Sequence, residues 1–375
     1  MNILERPISV REDYQLLSSL PVISNYPTRL DQWLDGVFAD YLLEPLRYQA
    51  PEEVWREILL DPVRQFLSRP GKGLRQDFVQ LGWQIAWLES HPDQSPQSCP
   101  ECPAPLIAII ELLHAGSLIV DDIEDDSEMR RGYPCLHKTV GLAPALNMGN
   151  WLYFVSGSLI ESLECGQLIK GQLHRTLNRI MLRCHQGQSL DVSIKITQVA
   201  REDVSALVDT STRLKSGVLI GFALQLGSIF LGQSRVFSER LYHFGEQLGL
   251  ALQMYDDLSG ILKESRWSKG DEDLLHGRLT WVWAWLANDS ELSRDDYETL
   301  IELVRRLNQP PPASDRQSAL FKSWRQRCEI HIAHRSEEIE TVIDHACHGL
   351  IYALENPALS QVILKSIERL KRSYL

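Results

Sequence analysis

The stretch from Leu106 to Val120 is apolar nearly all round, yet it carries Glu111 and His114 within it and runs straight into Asp121. A helix that is apolar on every side is a buried helix. Glu111, His114, Asp121 and Asp125 follow one another at steps of three, seven and four, so they share one face of that helix. His114 to Asp121 spans two turns, about 10 Å along the axis. Unpaired charge inside a protein is very costly. A polar stripe on such a helix therefore has to border a wet or liganded cavity.

The rest of the chain supplies helices to enclose one. Val54 to Leu67, Met148 to Leu163, Val204 to Leu231, Ser238 to Leu262 and Ala319 to Ala353 read with helical period, and no segment alternates as a strand does. Proline-rich punctuation falls at His91 to Pro105 and again at Gln309 to Asp315. The pattern predicts an all-α fold, a single large helical bundle around a central cavity spanning 31–375, after an irregular N-terminal extension over 1–30. The net charge of −12 excludes nucleic acid as a partner, since phosphate backbones require clustered positive charge. A small anion needs only a local basic patch.

Met1 to Arg11 lacks the apolar run of a secretory signal, and Leu106 to Val120 is short for a membrane span of roughly 20 residues. The expectation is a cytoplasmic protein without a transmembrane segment. Seven scattered cysteines then read as reduced thiols. Cys99 and Cys102 have metal-ligand spacing, but no second pair matches them, and they read as free thiols in a proline-rich loop.

Asp121, Asp122, Asp125, Asp126 and Glu128 crowd together and repel one another. Two carboxylates one turn apart can bridge hard cations such as Mg²⁺, which favours one or two carboxylates plus phosphate oxygens. Arg130 and Arg131 follow, as if about one and a half turns further on, and suit diphosphate oxygens. Leu248 to Leu262 repeats the design, with Gln253, Asp256, Asp257 and Gly260 on one face of an apolar helix and Lys269 and Asp273 beyond it. Gly260 stands where a third in-phase carboxylate would fall. Two acidic patches with an anion between them would clamp a leaving phosphate group through several metal ions. Gln188 and Asp191, and Lys215 with Ser216, are further polar insertions in helical segments. Gly71-Lys72-Gly73-Leu74-Arg75 is a flexible basic segment able to wrap a phosphate.

Together these residues resemble the trans-isoprenyl diphosphate synthase family, the polyprenyl synthetases, from about Lys72 to Thr280. The family's DDxxD-x4-RRG reads here as Asp121-Asp122-Ile123-Glu124-Asp125 through Arg130-Arg131-Gly132. The resemblance implies that Lys72, Arg75, His114 and Arg131 hold the diphosphate of isopentenyl diphosphate. It implies that Asp121, Asp125 and Asp256, supported by Asp122 and Asp257, ligate three Mg²⁺ ions on an allylic diphosphate. Arg130, Lys215, Gln253 and Lys269 would contact that same diphosphate. Ser216 replaces the usual threonine, and Gln188 and Asp191 match a GQxxD motif near the allylic carbon. Asp121, Asp122, Asp125, Lys215 and Asp256 would thus carry catalysis. The implied reaction is head-to-tail condensation of the two diphosphates to an all-trans prenyl diphosphate, in a homodimer.

In this family the residues four and five before the first aspartate floor the product tunnel. Here they are Ser117 and Gly116, both small, which implies a product of C20 or longer stopped by Leu113, Tyr153 or Phe154. Gly260 departs from the family's DDxxD and favours two rivals, a terpene cyclase of the same fold and a non-catalytic partner of a synthase. Lys72, Arg75, His114 and Arg131 speak against the cyclase, which has no use for a second diphosphate site. Asp121 and Asp125 speak against the inert partner.

Overall fold

The computed structural model describes residues 51–69, 71, 73–307, 314–354 and 357–374. The expected irregular extension, the expected domain start at residue 31 and Lys72 lie outside the described residues. The chain forms two compact units that divide between residues 70 and 71. In the first, a π turn, Arg56–Leu60, joins α1 (Glu52–Trp55) to α2 (Asp61–Leu67). The Arg69 guanidinium lies over the Phe66 ring, 5.1 Å from its centroid.

The second unit holds the residues of interest. Its helices are α3 (Leu74–Ser90), α4 (Ala104–Glu124), α5 (Leu136–Val140), α6 (Leu142–Ser162), α7 (Gln167–Ser193), α8 (Val204–Thr212) and α9 (Val218–Phe230). They continue as α10 (Arg235–Leu262), α11 (Trp267–Leu275), α12 (Trp281–Asn288), α13 (Arg294–Leu307), α14 (Ser314–Ile332), α15 (Ser336–Leu354) and α16 (Pro357–Tyr374). The all-helical expectation holds. No helix among the described residues is long and apolar enough to cross a membrane.

α4 is the stripe-bearing helix. Pro105 sits in its first turn, where a missing N–H costs nothing. Leu106, Ile109, Ile110 and Leu112 are wholly buried, and each such side chain contributes about 1.5–3 kcal/mol. α4 packs along α6, while α9, buried on nearly every side, packs between α3 and α10. α10 starts at a cap, the Ser234 hydroxyl accepting the Phe237 N–H at 3.2 Å. α15 packs against α10.

Two sequence expectations need correction. The period from Ala319 to Ala353 is not one helix: the chain turns at His334, and Ser336 with Glu337 and Glu338 begins a new one, where acidic residues complement the helix N-terminus. Nor does the helix continue from Asp125 to Arg131. α4 ends at Glu124, Asp126 turns the chain with φ 50°, and β1 (Met129–Arg130) pairs antiparallel with β2 (Tyr133–Pro134). Arg131 and Gly132, with φ 55° and 79°, form the connecting turn, the positive pair that a tight hairpin requires.

Candidate active site

A cavity of about 410 Å³ opens inside the second unit. Residues of both acidic patches line it, Asp121 and Asp125 from the first and Asp256 and Asp257 from the second, together with Arg75, His114, Arg130, Gln188, Asp191, Lys215, Ser216, Gln253 and Lys269. Most residues singled out in the sequence therefore meet around one space, although α3, α4, β1, α7, the π turn Arg213–Gly217, α10 and α11 carry them separately.

The first patch is braced by cations. Lys215 Nζ lies 3.0 Å from Asp121 Oδ1 and 2.6 Å from Asp191 Oδ2. Gln188 Nε2 donates to Asp121 Oδ1 at 2.9 Å and to Glu124 Oε2 at 2.5 Å. Burial acts to raise the Asp121 carboxyl, but Lys215, Gln188 and Arg130 outweigh it and hold the group below its ordinary value. Burial likewise works against the Lys215 charge, and Asp121 and Asp191 overcome it, so this ammonium stays charged. Arg278 pairs with Asp125, and its Nη1 donates to the Asp191 carbonyl at 2.7 Å. Asp122 is turned away from the cavity lining, fully buried, and clamps Arg130, whose Nε donates to it at 2.6 Å. Arg130 is thereby aimed at the cavity rim.

Lys215 reaches this position because Arg213–Gly217 is a π turn between α8 and α9. Such turns re-aim side chains within an otherwise regular helix. Two contacts fix it: a Cβ at Gly249 of α10 would lie 2.7 Å from Gly217 Cα, and a Cβ at Gly187 of α7 would lie 2.5 Å from Lys215 N.

The second patch is organised differently. Asp257 is buried, accepting the Trp281 N–H at 2.8 Å and the Gln253 amide at 2.8 Å. Burial pushes its carboxyl up to about 6. Ser216 donates to Gln253 Oε1 at 3.2 Å, so the replaced threonine's hydroxyl is in use. Asp256 reaches the cavity and pairs with Arg266 at 2.9 Å. Burial pushes Asp273 up to about 7 against the pull of Lys269. Ser127 donates to Glu272 Oε1 at 2.8 Å, which ties the loop after the first patch to α11.

His114 forms the other end with Arg75. Burial, with Arg75, Arg131 and Arg130 nearby, drives its imidazole well below the ordinary histidine value, so it is neutral. Glu111 sits behind the lining; burial raises its carboxyl, and Arg75, Gln76 and Arg131 oppose that. Arg131 lies outside the lining, with its guanidinium against Gly71, where a Cβ would come within 2.9 Å of Arg131 Cζ.

Of the expected tunnel residues, Leu113 and Ser117 line the cavity. Gly116 does not: it faces α6, where a Cβ would lie 2.8 Å from the Gly149 carbonyl. Tyr153 lines the cavity and meets His185 edge-on at 5.5 Å, whereas Phe154 is 74% exposed and cannot floor it.

Glu124, Arg266 and Arg278 were not legible as site residues. Glu124 lies inside the first motif, and its contact with Gln188 comes from packing of α7. Arg278 follows the turn at Gly277, φ 62°, off any helix, where phasing gives no signal.

Among the described residues no group of three His, Cys, Asp or Glu side chains gathers to hold a metal unaided. Mg²⁺ needs only one or two carboxylates beside substrate phosphates. Asp121 and Asp125, one turn apart on the cavity wall, offer that donor set, so the residues present fit the ion.

Carboxylates and cations from several helices thus converge on one cavity of a helical protein. The sequence model of the polyprenyl synthetase family matches residues 56–310, and the chain belongs to that family. A geranylgeranyl pyrophosphate synthase of Apiospora sacchari is 28% identical over 233 residues, 61% of this chain and 63% of that protein. One from Aspergillus flavus is 29% identical over 232 residues, 60% of this chain and 61% of that protein. The alignments thus span about three fifths of these relatives' length. The crystal structure of a Corynebacterium glutamicum geranylgeranyl pyrophosphate synthase complexed with isoprenyl diphosphate and magnesium shares the fold, with TM-score 0.70 and 19% identity, over 93% of this chain and 99% of that one.

Proposed function

We propose that the protein is a Mg²⁺-dependent prenyltransferase that condenses isopentenyl diphosphate with an allylic diphosphate and releases inorganic diphosphate. The observation that carries this reading is the single cavity in which Asp121, Asp125 and Asp256 stand with Lys215 and Lys269 while Arg75 and His114 occupy the same lining. One acidic, metal-capable region and one basic region suit two diphosphates of different roles.

Asp121 and Asp125 would hold divalent ions, which when bound would supply positive charge to the departing diphosphate. The chain's own cations act in the same sense. Lys215, locked between Asp121 and Asp191, needs no rearrangement as negative charge develops on the leaving oxygens, which is the efficient form of electrostatic stabilisation. Arg130, fixed by Asp122, and Lys269 stand at the rim for the same diphosphate. Arg75 and the neutral His114 hold the second diphosphate. The apolar wall formed by Leu113, Leu118, Ile180 and Leu219 excludes water from an allylic carbocation, and the isopentenyl double bond attacks it. Loss of a proton to the released diphosphate completes the new alkene.

Relatives named geranylgeranyl pyrophosphate synthases and the small Ser117 at the wall support a product of C20 or longer. A homodimer remains part of the proposal on the resemblance, and a cytoplasmic location on the scattered cysteines read as reduced thiols. The test is diphosphate release by purified protein with Mg²⁺ and dimethylallyl or farnesyl diphosphate, with and without isopentenyl diphosphate. Release that needs both substrates, with products of C20 or longer by mass spectrometry, supports the reading. Release from the allylic substrate alone identifies a cyclase, and none with any primer identifies a non-catalytic partner.

A further inference from the structure

Trp281 is the first residue of α12 and follows Thr280, whose backbone is extended with φ −106° and ψ 166°. The N–H groups in the first turn of a helix have no partner within it. The Trp281 N–H donates instead to Asp257 Oδ2, at 2.8 Å. Its indole Nε1 donates separately to Thr212 Oγ1 at 3.0 Å. Thr212 is buried and immediately precedes the π turn Arg213–Gly217, which carries Lys215 and Ser216. One tryptophan outside both acidic patches thus holds a carboxylate of α10 and the base of that turn.

From Asp257 the contacts run back to the same turn. Gln253 Nε2 donates to Asp257 Oδ1 at 2.8 Å, and Ser216 Oγ donates to Gln253 Oε1 at 3.2 Å. Thr212, Trp281, Asp257, Gln253 and Ser216 therefore form a closed ring that ties the turn to α10 and α12. A carboxylate accepts hydrogen bonds and donates none. The start of α12 favours that charged form, since a helix N-terminus attracts negative charge. With Asp257 accepting on both oxygens, the Gln253 amide has to turn its NH₂ toward Asp257 and its carbonyl toward Ser216. Ser216 then gives its only hydroxyl hydrogen to Gln253. Ser216 lines the cavity, and it meets a ligand there with lone pairs alone. An oxygen in that state suits a carbon on which positive charge develops, whereas a reversed hydroxyl would aim a hydrogen at it.

We infer that Trp281 is a positioning residue, which by fixing Asp257 and Thr212 sets the direction of the Gln253–Ser216 hydrogen bond. The inference rests on the proposed prenyl transfer, because it is the allylic cation of that reaction that an acceptor-only Ser216 favours. A contact that merely caps α12 would affect stability and would be indifferent to which way the amide points.

The test measures kcat for diphosphate release and KM for each substrate at pH 8, with circular dichroism as the check on folding. Trp281→Phe keeps the backbone N–H and loses the indole bond. Trp281→Pro loses both, at a helix position that proline favours. The kcat of Trp281→Pro should lie at least about tenfold below that of Trp281→Phe. Asp257→Asn offers Gln253 an NH₂ group, which reverses the amide and leaves Ser216 accepting, so kcat should fall about ten- to a hundredfold. Adding Gln253→Glu supplies an acceptor to the new amide and another to Ser216, which restores the direction. The double variant should be faster than Asp257→Asn by at least about fivefold. Equal kcat in the two Trp281 variants, or a double variant no faster than Asp257→Asn, overturns the inference and leaves the prenyl transfer standing. If Trp281→Pro does not fold, the exchange of acid and amide between positions 253 and 257 decides alone. A wild type that releases no diphosphate with any primer overturns both.

Discussion

Lys215 Nζ stands 3.0 Å from Asp121 Oδ1, although ninety-four positions separate the two residues. The contact joins the π turn before α9 to the end of α4, and Asp191 on α7 closes it at 2.6 Å. Lys215→Ala removes the ammonium that joins these elements and that, in the proposed reaction, stands by the leaving diphosphate. The kcat for diphosphate release should fall about 10²–10³-fold, the loss seen when a preorganised charge partner is deleted. Lys215→Arg should restore part of it, and the circular dichroism of both variants should match the wild type. A wild-type kcat in Lys215→Ala removes the residue from the reaction.

Gly187 carries the same argument into packing. A Cβ there would lie 2.5 Å from Lys215 N and 2.7 Å from the Leu214 carbonyl carbon, backbone atoms that cannot swing aside. Gly187→Ala should destabilise the protein by about 1–3 kcal/mol, the usual cost of overpacking, measured by urea unfolding. Activity should drop beyond what the loss of folded protein explains, because the displaced turn carries Lys215. Unchanged stability shows that α7 and the turn can part without cost.

Much of this site is legible in the sequence because helical phase is a strong constraint. His114, Asp121 and Asp125 on α4, and Gln253, Asp256 and Asp257 on α10, meet as their spacing requires. What stays hidden arises where the helix stops. The hairpin at Arg131-Gly132 depends on a backbone turn with φ 55° and 79°, which a pattern of helical period does not register. Arg266 and Arg278 follow helix ends, so their aim is set by the turn from Lys263 to Arg266 and by the turn at Gly277 rather than by phase. Gly116 shows the converse: its spacing from Asp121 marks it as a tunnel residue, yet α6 covers its face of α4.

Asp273 sets a pH dependence. Burial raises its carboxyl from 3.8 to about 7 in the folded protein. Below both values the group is protonated in folded and unfolded chains alike, and it costs nothing. Between them the folded protein keeps a proton that the unfolded chain has lost. Above about 7 a buried carboxylate has to ionise, so the group's contribution to stability falls as pH rises from 4 through 7. Asp257, pushed up to about 6 by burial, acts in the same direction. In metal-free protein with chelator present, the Tm of Asp273→Asn should exceed that of the wild type at pH 8 by more than it does at pH 5. An equal difference at the two pH values shows that Asp273 does not titrate in this range.

Ser117 and Gly116 are neighbours with different surroundings, and that separates two effects of bulk. Ser117 lines the cavity, with its hydroxyl donating to the His114 carbonyl at 2.8 Å. A phenylalanine there projects into the cavity, which in the proposed reaction takes the growing chain, so Ser117→Phe should shorten the main product by at least one isoprene unit, read by mass spectrometry after dephosphorylation. Gly116 instead sits 2.8 Å, at its would-be Cβ, from the Gly149 carbonyl of α6, with Leu152 and Tyr153 at 3.2 and 3.1 Å. Gly116→Phe should therefore lower the Tm by driving α4 from α6, without the clean shift to a shorter product that Ser117→Phe gives. A stable Gly116→Phe enzyme with a shortened product would show that α4 can rotate to bring this position into the cavity, and would return Gly116 to the tunnel.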